Sequence, residues 1–303
     1  KLWIAIIMVL VALWFGSQYG FDPLGSKDLT ETLKNRLSVN LSIFANPNAV
    51  GHNVIPVIPM LYFMFAWHRP IFMQQAAFLV MAIPAWCVYL TLSKGAFLSG
   101  FGTTVLSVAF GRPKIIQVFI IWAAITVGWT ALHQLPRMES MGRLGADKGV
   151  QGRLLSFRFG YSVFKTEKFG VGYGQWFKAQ YQRLGFYYPA HSAYVMVGGE
   201  LGFPGLMLYL GLAYCGLRTL MTVKHLDVEE ERARRMLFVL IVSYLISAWM
   251  INIEYRPTYF MTAATVAAFH RYLIGKGKLA TTTELSETVT VPQLVPATAG
   301  GAL

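Results

Sequence analysis

Charged side chains are scarce in this chain of 303 residues, at 13% of the sequence. Soluble domains usually carry about 25% charged residues. Hydrophobic residues instead make up 55%, and they cluster in runs of about 20 residues, the length that crosses a bilayer as a helix. The composition therefore argues against a soluble globular domain and predicts an all-α polytopic membrane protein.

Acidic residues and cysteines are also few, with 14 of the former and two of the latter. Cys87 and Cys215 both lie in apolar runs without metal-ligand spacing, so we expect them to pack as small hydrophobic residues. Carboxylates outside the apolar runs are scattered and lack the paired spacing of oxygen ligands. We therefore expect neither a metal site nor another cofactor.

About eight transmembrane helices are predicted within a single membrane domain, residues 1–278. The apolar segments are residues 2–20, 49–67, 71–92, 95–111, 114–135, 191–219, 236–253 and 257–274. The first segment is too long for a signal-peptide core and lacks a cleavage site, so it is interpreted as a membrane helix. Because the chain opens in an apolar run without Met, we expect further membrane helices upstream.

Basic residues in the short connections predict the orientation of the bundle. They are concentrated at 68–70, 111–114, 221–235 and 276–278, and the positive-inside rule makes that side cytoplasmic. The long loop 136–190, which we expect to contain short helices, is then extracytoplasmic. The tail 279–303 is rich in Thr and cannot bury a core, so we expect it to be disordered in the cytoplasm.

The extracytoplasmic loop 136–190 carries nine basic and three acidic residues. Long loops translocate regardless of charge, so this excess does not overturn the orientation. It favours an anionic ligand at this face, with a solvated basic loop as the alternative. Part of the chain's net charge of +12 is ordinary positive-inside bias, so no nucleic-acid partner is expected.

Three cationic residues near this face are candidate ligands for a lipid phosphate or pyrophosphate: Lys94, Arg153 and Arg158. Gly152–Tyr161 is predicted to be a short helix on the membrane surface. Five residues turn a helix by about 140°, so both arginines reach one ligand only if Arg153 stands at the helix start, where free N–H groups add to anion binding. Arginine suits phosphate through its planar fork, and lysine acts as a point charge.

His191 is the candidate base. It opens the sixth segment, directly after the basic loop, and is followed by Ser192. An ionisable group at the mouth of a membrane helix is a functional candidate, and histidine exchanges protons near neutral pH. The alternative is a histidine that marks the water–lipid boundary. Glu200 lies about two and a half turns further along. It is either a buried hydrogen-bonding partner or simply a capped polar residue in the bundle, and we favour the structural role.

An ordered set of motifs between about residues 40 and 215 resembles the O-antigen ligase and polymerase-like membrane glycosyltransferases of bacterial envelopes. His191-Ser192, nine residues, Gly202, two residues and Gly205 resembles the ligase signature. The segment 44–49, with Asn48, resembles the Asn-Pro-Asn start of a membrane helix in this family. Residues 91–95 resemble its Ser-Arg-Gly turn, and residues 152–174 its loop segment from Arg to Gly-x-Gly.

Three positions depart from the family pattern. Lys94 replaces the family's arginine, which keeps the charge but loses the bidentate geometry. Phe157 stands where an indole is common, and Lys168 stands near the usual proline.

The resemblance implies a metal-independent, inverting transfer of a glycan from a polyprenyl-pyrophosphate carrier to an acceptor hydroxyl. The site would face the periplasm from the bacterial inner membrane. His191 would be the general base and Arg153, Arg158 and Lys94 would bind the pyrophosphate. Ser192, Glu200 and Asn48 would support them.

A glycolipid, a glycan or a protein is the implied acceptor. The His-Ser signature favours an O-antigen ligase acting on lipid A core. Alternatives within the class are a repeat-unit polymerase and a protein O-oligosaccharyltransferase. A lipid or glycan transporter is a more distant alternative, since it would use interrupted helices and intramembrane charges, and only Glu200 lies clearly inside a segment. Nothing in the sequence argues for a non-catalytic scaffold.

Overall fold

The computed structural model describes residues 36–37, 46–133 and 148–279. Every element of regular structure within these ranges is helical, as predicted. The helices are α1 (Pro47–Val54), α2 (Val57–Leu61), a π-helical turn (Tyr62–Ala66), α3 (Ile71–Leu90), α4 (Lys94–Ala109), α5 (Lys114–His133), α6 (Lys148–Thr166), α7 (Trp176–Leu184), α8 (Ala193–Thr222), α9 (Val228–Met250) and α10 (Pro257–Gly275).

Four helical stretches are long and apolar enough to cross a membrane: Pro47–Ala66, Ile71–Leu90, Ala193–Thr222 and Val228–Met250. The predicted segments 95–111, 114–135 and 257–274 are also helical, as α4, α5 and α10. Of these, α4 and α10 do not meet that criterion, and α5 contains the shorter apolar stretch Lys114–Gly128. Segment 2–20 and the tail beyond Leu279 lie outside the described residues. Within the described residues the protein is thus an all-helical membrane protein with four candidate spans.

The first described span is interrupted by its prolines. Asn46 caps α1 by accepting a hydrogen bond from the Asn48 backbone N–H at 2.9 Å, and Pro47 occupies the first helical turn. Proline has no amide hydrogen to donate, and the chain leaves the α-helical pattern at Ile55 and Pro56 before α2 and the π-helical turn. The span therefore consists of three short helical pieces.

Helix α9 lies at the centre of the described bundle and packs against α4, α8 and α10. Its Val239 is fully buried, and its Ser243 hydroxyl accepts a hydrogen bond from Thr103 of α4 at 2.9 Å. Cys87 is buried as predicted, whereas Cys215 is exposed on α8. The expectation that the cysteines pack as small hydrophobic residues therefore holds for Cys87 and not for Cys215.

Charged residues join the helix ends at the 221–235 side of the bundle. A capping box of Asp227 and Glu230 starts α9. Lys278 contacts Glu230, and Lys276 pairs with it at 3.1 Å, which ties the end of α10 to the start of α9. The opposite side, called here the His191 end, holds the starts of α1, α4 and α8 and the turn 251–256 between α9 and α10. A helix of 16 residues such as α4 separates the two ends by about 24 Å.

Helices α6 and α7 belong to the stretch 148–190 that precedes α8, and both pack against α8. The predicted surface helix Gly152–Tyr161 is present, but it is the middle of a 19-residue helix, Lys148–Thr166. Phe159 and Val163 of α6 pack with the fully buried Trp176 at the start of α7. Residues 148–190 therefore form a packed layer over the His191 end.

Candidate functional site

Asn48 is held by an arginine that the sequence analysis missed. Arg36 donates from Nη2 to Asn48 Oδ1 and from Nε to the Thr91 carbonyl, each at 2.8 Å. Its side chain is buried, so these charge-assisted bonds fix the start of α1 against the end of α3. Arg36 lies in a stretch without a motif, and nothing in its local sequence distinguished it from a solvated loop residue.

The turn between α3 and α4 places Lys94 at a helix start. Leu92 has a left-handed backbone (φ 46°), and the Ser93 hydroxyl accepts a hydrogen bond from the Ala96 N–H at 3.2 Å. A Cβ on Gly95 would lie 3.2 Å from Met250 Cβ and 3.5 Å from His52 Nε2. The absence of a side chain at Gly95 thus lets the start of α4 approach α1 and α9.

The glycines of the ligase-like signature make a break in α8. Gly202 adopts φ 65° and ψ −160°, which interrupts the helix two residues before Pro204. The glycine-rich loop after α6 pairs with the backbone at this break: Val171 and Gly172 donate to the Gly199 and Glu200 carbonyls, each at 2.9 Å. A Cβ on Gly202 would lie 2.2 Å from the Lys168 carbonyl oxygen, so only glycine allows this contact.

Glu200 is a buried structural connector, the role that the sequence favoured. It is 1% exposed. Its Oε1 accepts a hydrogen bond from the Trp176 backbone N–H at 3.2 Å, and its Oε2 accepts one from the Tyr255 hydroxyl at 2.7 Å. This carboxylate therefore links α7, α8 and the turn 251–256.

His191 stands just before α8 in a strained left-handed conformation, with φ 51°. Its neighbours Ala190 and Ser192 are fully buried. Burial first, and then the positive charge of Arg153, lowers the pKa of the imidazole to about 4. The imidazole is consequently neutral at neutral pH and is able to accept a proton.

The two candidate arginines of α6 are not equivalent. Arg153 is the sixth residue of the helix and is partly buried. It is close enough to act electrostatically on both His191 and His52. Arg158 is exposed on a side of the helix about 140° away.

The condition for both arginines to reach one ligand, that Arg153 stands at the helix start, is not met, because α6 begins at Lys148. The free N–H groups of a helix belong to its first turn, and they do not add to anion binding at Arg153.

Three further polar residues at the His191 end were not singled out as site residues: His52, Glu254 and Arg256. Glu254 is 6% exposed, and burial is the main reason that its pKa is raised to about 7, with the charge of Glu200 adding to the shift and that of Arg256 opposing it. His52 is an imidazole inside a predicted membrane segment, a signal that the sequence did offer. The structure thus gathers more ionisable groups here than the motifs indicated.

A cavity of about 480 Å³ lies at the other end of the bundle, lined in part by Trp67, His68, Arg112 and Arg235. None of the predicted site residues lines it. Within the described part of the chain, no three His, Cys, Asp or Glu side chains are arranged to hold a metal ion. The residues singled out from the sequence therefore lie at the polar His191 end and not at this cavity.

Fold and site together define a multi-pass helical membrane protein with a partly buried histidine and a neighbouring arginine at one end of its bundle. The family model described as O-Antigen ligase matches residues 76–210. This stretch contains Lys94, Arg153, Arg158, His191 and Glu200, and it supports an O-antigen ligase-like family of membrane glycosyltransferases. A comparison with curated proteins finds no match.

Proposed function

We propose that the protein transfers a glycan from a polyprenyl-pyrophosphate carrier to an acceptor hydroxyl at the outer face of the bacterial inner membrane. The observation that carries this proposal is the pairing of a neutral, largely buried imidazole, His191, with the guanidinium of Arg153 at the mouth of α8. The family match over residues 76–210 gives the reaction class.

In the proposed reaction His191 removes the proton of the acceptor hydroxyl, and the oxygen attacks the anomeric carbon. A new C–O bond forms as the bond to the pyrophosphate breaks, with inversion at that carbon. Arg153 and Lys94 neutralise the departing pyrophosphate, doing electrostatically what a metal ion does in other enzymes. Arg158, on the exposed side of α6, is assigned to the outer part of the donor headgroup.

Among acceptors we favour lipid A core, since the matching family model is that of O-Antigen ligase. A repeat-unit polymerase and a protein O-oligosaccharyltransferase would use the same chemistry. A deletion strain separates them: undecaprenyl-linked polymer should accumulate if the protein is a ligase, and single repeat units if it is a polymerase.

A transporter is disfavoured by the break in α8. Transporters use the free backbone groups of broken membrane helices to bind substrates and ions. Here the carbonyls of Gly199 and Glu200 already accept hydrogen bonds from the glycine-rich loop. The break therefore serves internal packing.

Replacement of His191 tests the proposal directly. In nanodiscs supplied with undecaprenyl-pyrophosphate-linked O-antigen and lipid A core, His191→Ala should transfer glycan about 10²–10⁴-fold more slowly. His191→Gln should be nearly as slow, because an amide does not take up a proton near neutral pH. Both variants should still bind undecaprenyl pyrophosphate. Transfer by His191→Ala at close to the native rate would overturn the assignment of the base.

Arg153→Ala, with Arg183→Ala as its control, tests the anion site in the same assay. Loss of a charged contact at a partly buried arginine costs about 1.5–3 kcal/mol, which corresponds to about 10–100-fold weaker donor use. Arg183 is exposed and pairs with Glu167 at 3.1 Å, so its loss should change little. Equal and small effects at both positions would indicate a solvated basic loop without a bound anion.

A further inference from the structure

The turn 251–256 at the His191 end contains several polar atoms that no described residue satisfies. Asn252 Oδ1, Glu254 Oε2 and Arg256 Nη1 are buried atoms without a hydrogen-bond partner among the described residues. His52 Nδ1, on α1, is in the same condition. Three of these four atoms belong to residues at alternate positions of a single turn.

His52, Glu254 and Arg256 are close to one another, and His52 is also close to the proposed reaction site. The positive charge of Arg256 acts on both His52 and Glu254. Arg153, in turn, acts on both His52 and His191. His52 Nε2 also lies 3.5 Å from the position of a Cβ on Gly95, beside Lys94. The polar turn is therefore linked, through the charge interactions of His52, to Arg153 and His191, the residues assigned to pyrophosphate binding and to the base.

Structural duties at this turn are carried by other atoms. Tyr255 donates to Glu200, and the Arg256 backbone N–H donates to the Ile253 carbonyl at 3.1 Å. The backbone of Arg256 also precedes α10 as its N-cap. The side-chain atoms Glu254 Oε2 and Arg256 Nη1 take no part in these contacts. Leaving a buried donor or acceptor unpaired is unfavourable, and more so for charged groups, so a fold that keeps several together points to a ligand that pairs with them.

The chemistry of the four residues distinguishes between ligands. A pyrophosphate accepts hydrogen bonds and carries negative charge, so the carboxylate of Glu254 would repel it. Sugar hydroxyls both donate and accept, and a mixed set with a carboxylate, an amide, a guanidinium and an imidazole satisfies both functions.

We propose that Asn252, Glu254 and Arg256, with His52 of α1, form a carbohydrate subsite that holds sugar hydroxyls next to the pyrophosphate site. This inference rests on the proposed glycan transfer. The sugar is either the residue attached to the donor pyrophosphate or the accepting residue of the second substrate. In both cases Glu254 and Arg256 are binding residues that set specificity, and His191 remains the base.

Glu254→Gln and Arg256→Lys test the subsite, since each keeps the size of the side chain but changes its hydrogen bonding. Glu167→Gln and Arg183→Lys are the matched controls, because that ion pair is exposed. Binding of undecaprenyl pyrophosphate with and without one attached N-acetylhexosamine is measured in nanodiscs. The KM for lipid A core and kcat are measured alongside.

A subsite for the donor sugar predicts at least 10-fold weaker binding of the sugar-bearing lipid by Glu254→Gln and Arg256→Lys, with binding of undecaprenyl pyrophosphate unchanged. A subsite for the acceptor predicts instead a KM for lipid A core raised at least 10-fold. The subsite is ruled out if both variants behave like their controls in all three measurements while His191→Ala remains inactive. A native-like rate in His191→Ala would overturn the assignment of the base and not the subsite, whereas absence of glycan transfer by the native protein would contradict the proposed function.

Discussion

At the scale of single residues, burial shifts the pKa values of His191 and Glu254 in opposite directions. It lowers the pKa of His191 to about 4 and raises that of Glu254 to about 7, because a buried site disfavours whichever form is charged. His191 was found from the sequence, since it opens an apolar segment within a spaced motif. Glu254 was not, because its burial depends on the packing of α8, α9 and α10, which no local pattern encodes.

The pH dependence of kcat/KM should therefore have a step near pH 7 that belongs to Glu254 and not to His191. An ionised carboxylate accepts stronger hydrogen bonds from hydroxyls than its protonated form, so transfer should rise with pH through about 7. The groups that act on Glu254 are Glu200 and Arg256, and the group that acts on His191 is Arg153. Loss of transfer through protonation of His191 should appear only as pH falls through about 4.

A pH–rate profile of Glu254→Gln checks this assignment. The step near pH 7 should vanish, leaving a flat profile from about pH 6 to 8. Persistence of the same step in the variant would assign it to another group and would contradict the raised pKa of Glu254.

At the scale of helices, the break in α8 explains why the ligase-like signature ends in glycines. The spacing from His191 to Gly202 was visible in the sequence, but its purpose was not. The structure places the Lys168 carbonyl against Gly202 and the glycine-rich loop against the freed carbonyls of α8. The glycine-rich loop and the break in α8 thus form a single structural unit. They are about 30 residues apart in sequence, so no helical periodicity could have indicated their contact.

Three glycine-to-alanine variants separate the effect of backbone conformation from the effect of steric contact at the glycines. Gly202→Ala combines a left-handed backbone with a Cβ 2.2 Å from a carbonyl oxygen, Gly174→Ala has φ 70° with open space, and Gly211→Ala has open space in regular helix. Strained backbone costs about 1–3 kcal/mol. The thermal midpoint in detergent should fall most for Gly202→Ala, less for Gly174→Ala, and not at all for Gly211→Ala.

Glycan transfer should follow the same order, since Gly202→Ala displaces the loop that pairs with the backbone of Glu200 and, beyond it, the start of α7. Equal midpoints for Gly202→Ala and Gly211→Ala would show that the loop does not depend on the break in α8.

At the scale of the whole molecule, apolar run length predicted helices correctly but did not establish the number of membrane crossings. Segments 95–111 and 257–274 correspond to α4 and α10, yet neither reaches the length and hydropathy of a span. Hydropathy records only composition, whereas the position of a short helix depends on its neighbours. Contacts between distant segments, such as Arg36 with Asn48 and Thr91, likewise had no local signature.

The orientation of the bundle remains a prediction from loop charge, and single-cysteine labelling tests it. The background requires Cys87→Ala and Cys215→Ala, since Cys215 is exposed and would react on its own. Lys178→Cys on α7 and Val228→Cys at the start of α9 then introduce one exposed thiol each. Short basic connections stay in the cytoplasm, so a membrane-impermeant maleimide applied to spheroplasts should label position 178 and spare position 228.

Permeabilised spheroplasts, in which both positions should react, are the control. Labelling at 228 but not at 178 would place His191 on the cytoplasmic side and remove the basis for transfer at the outer face.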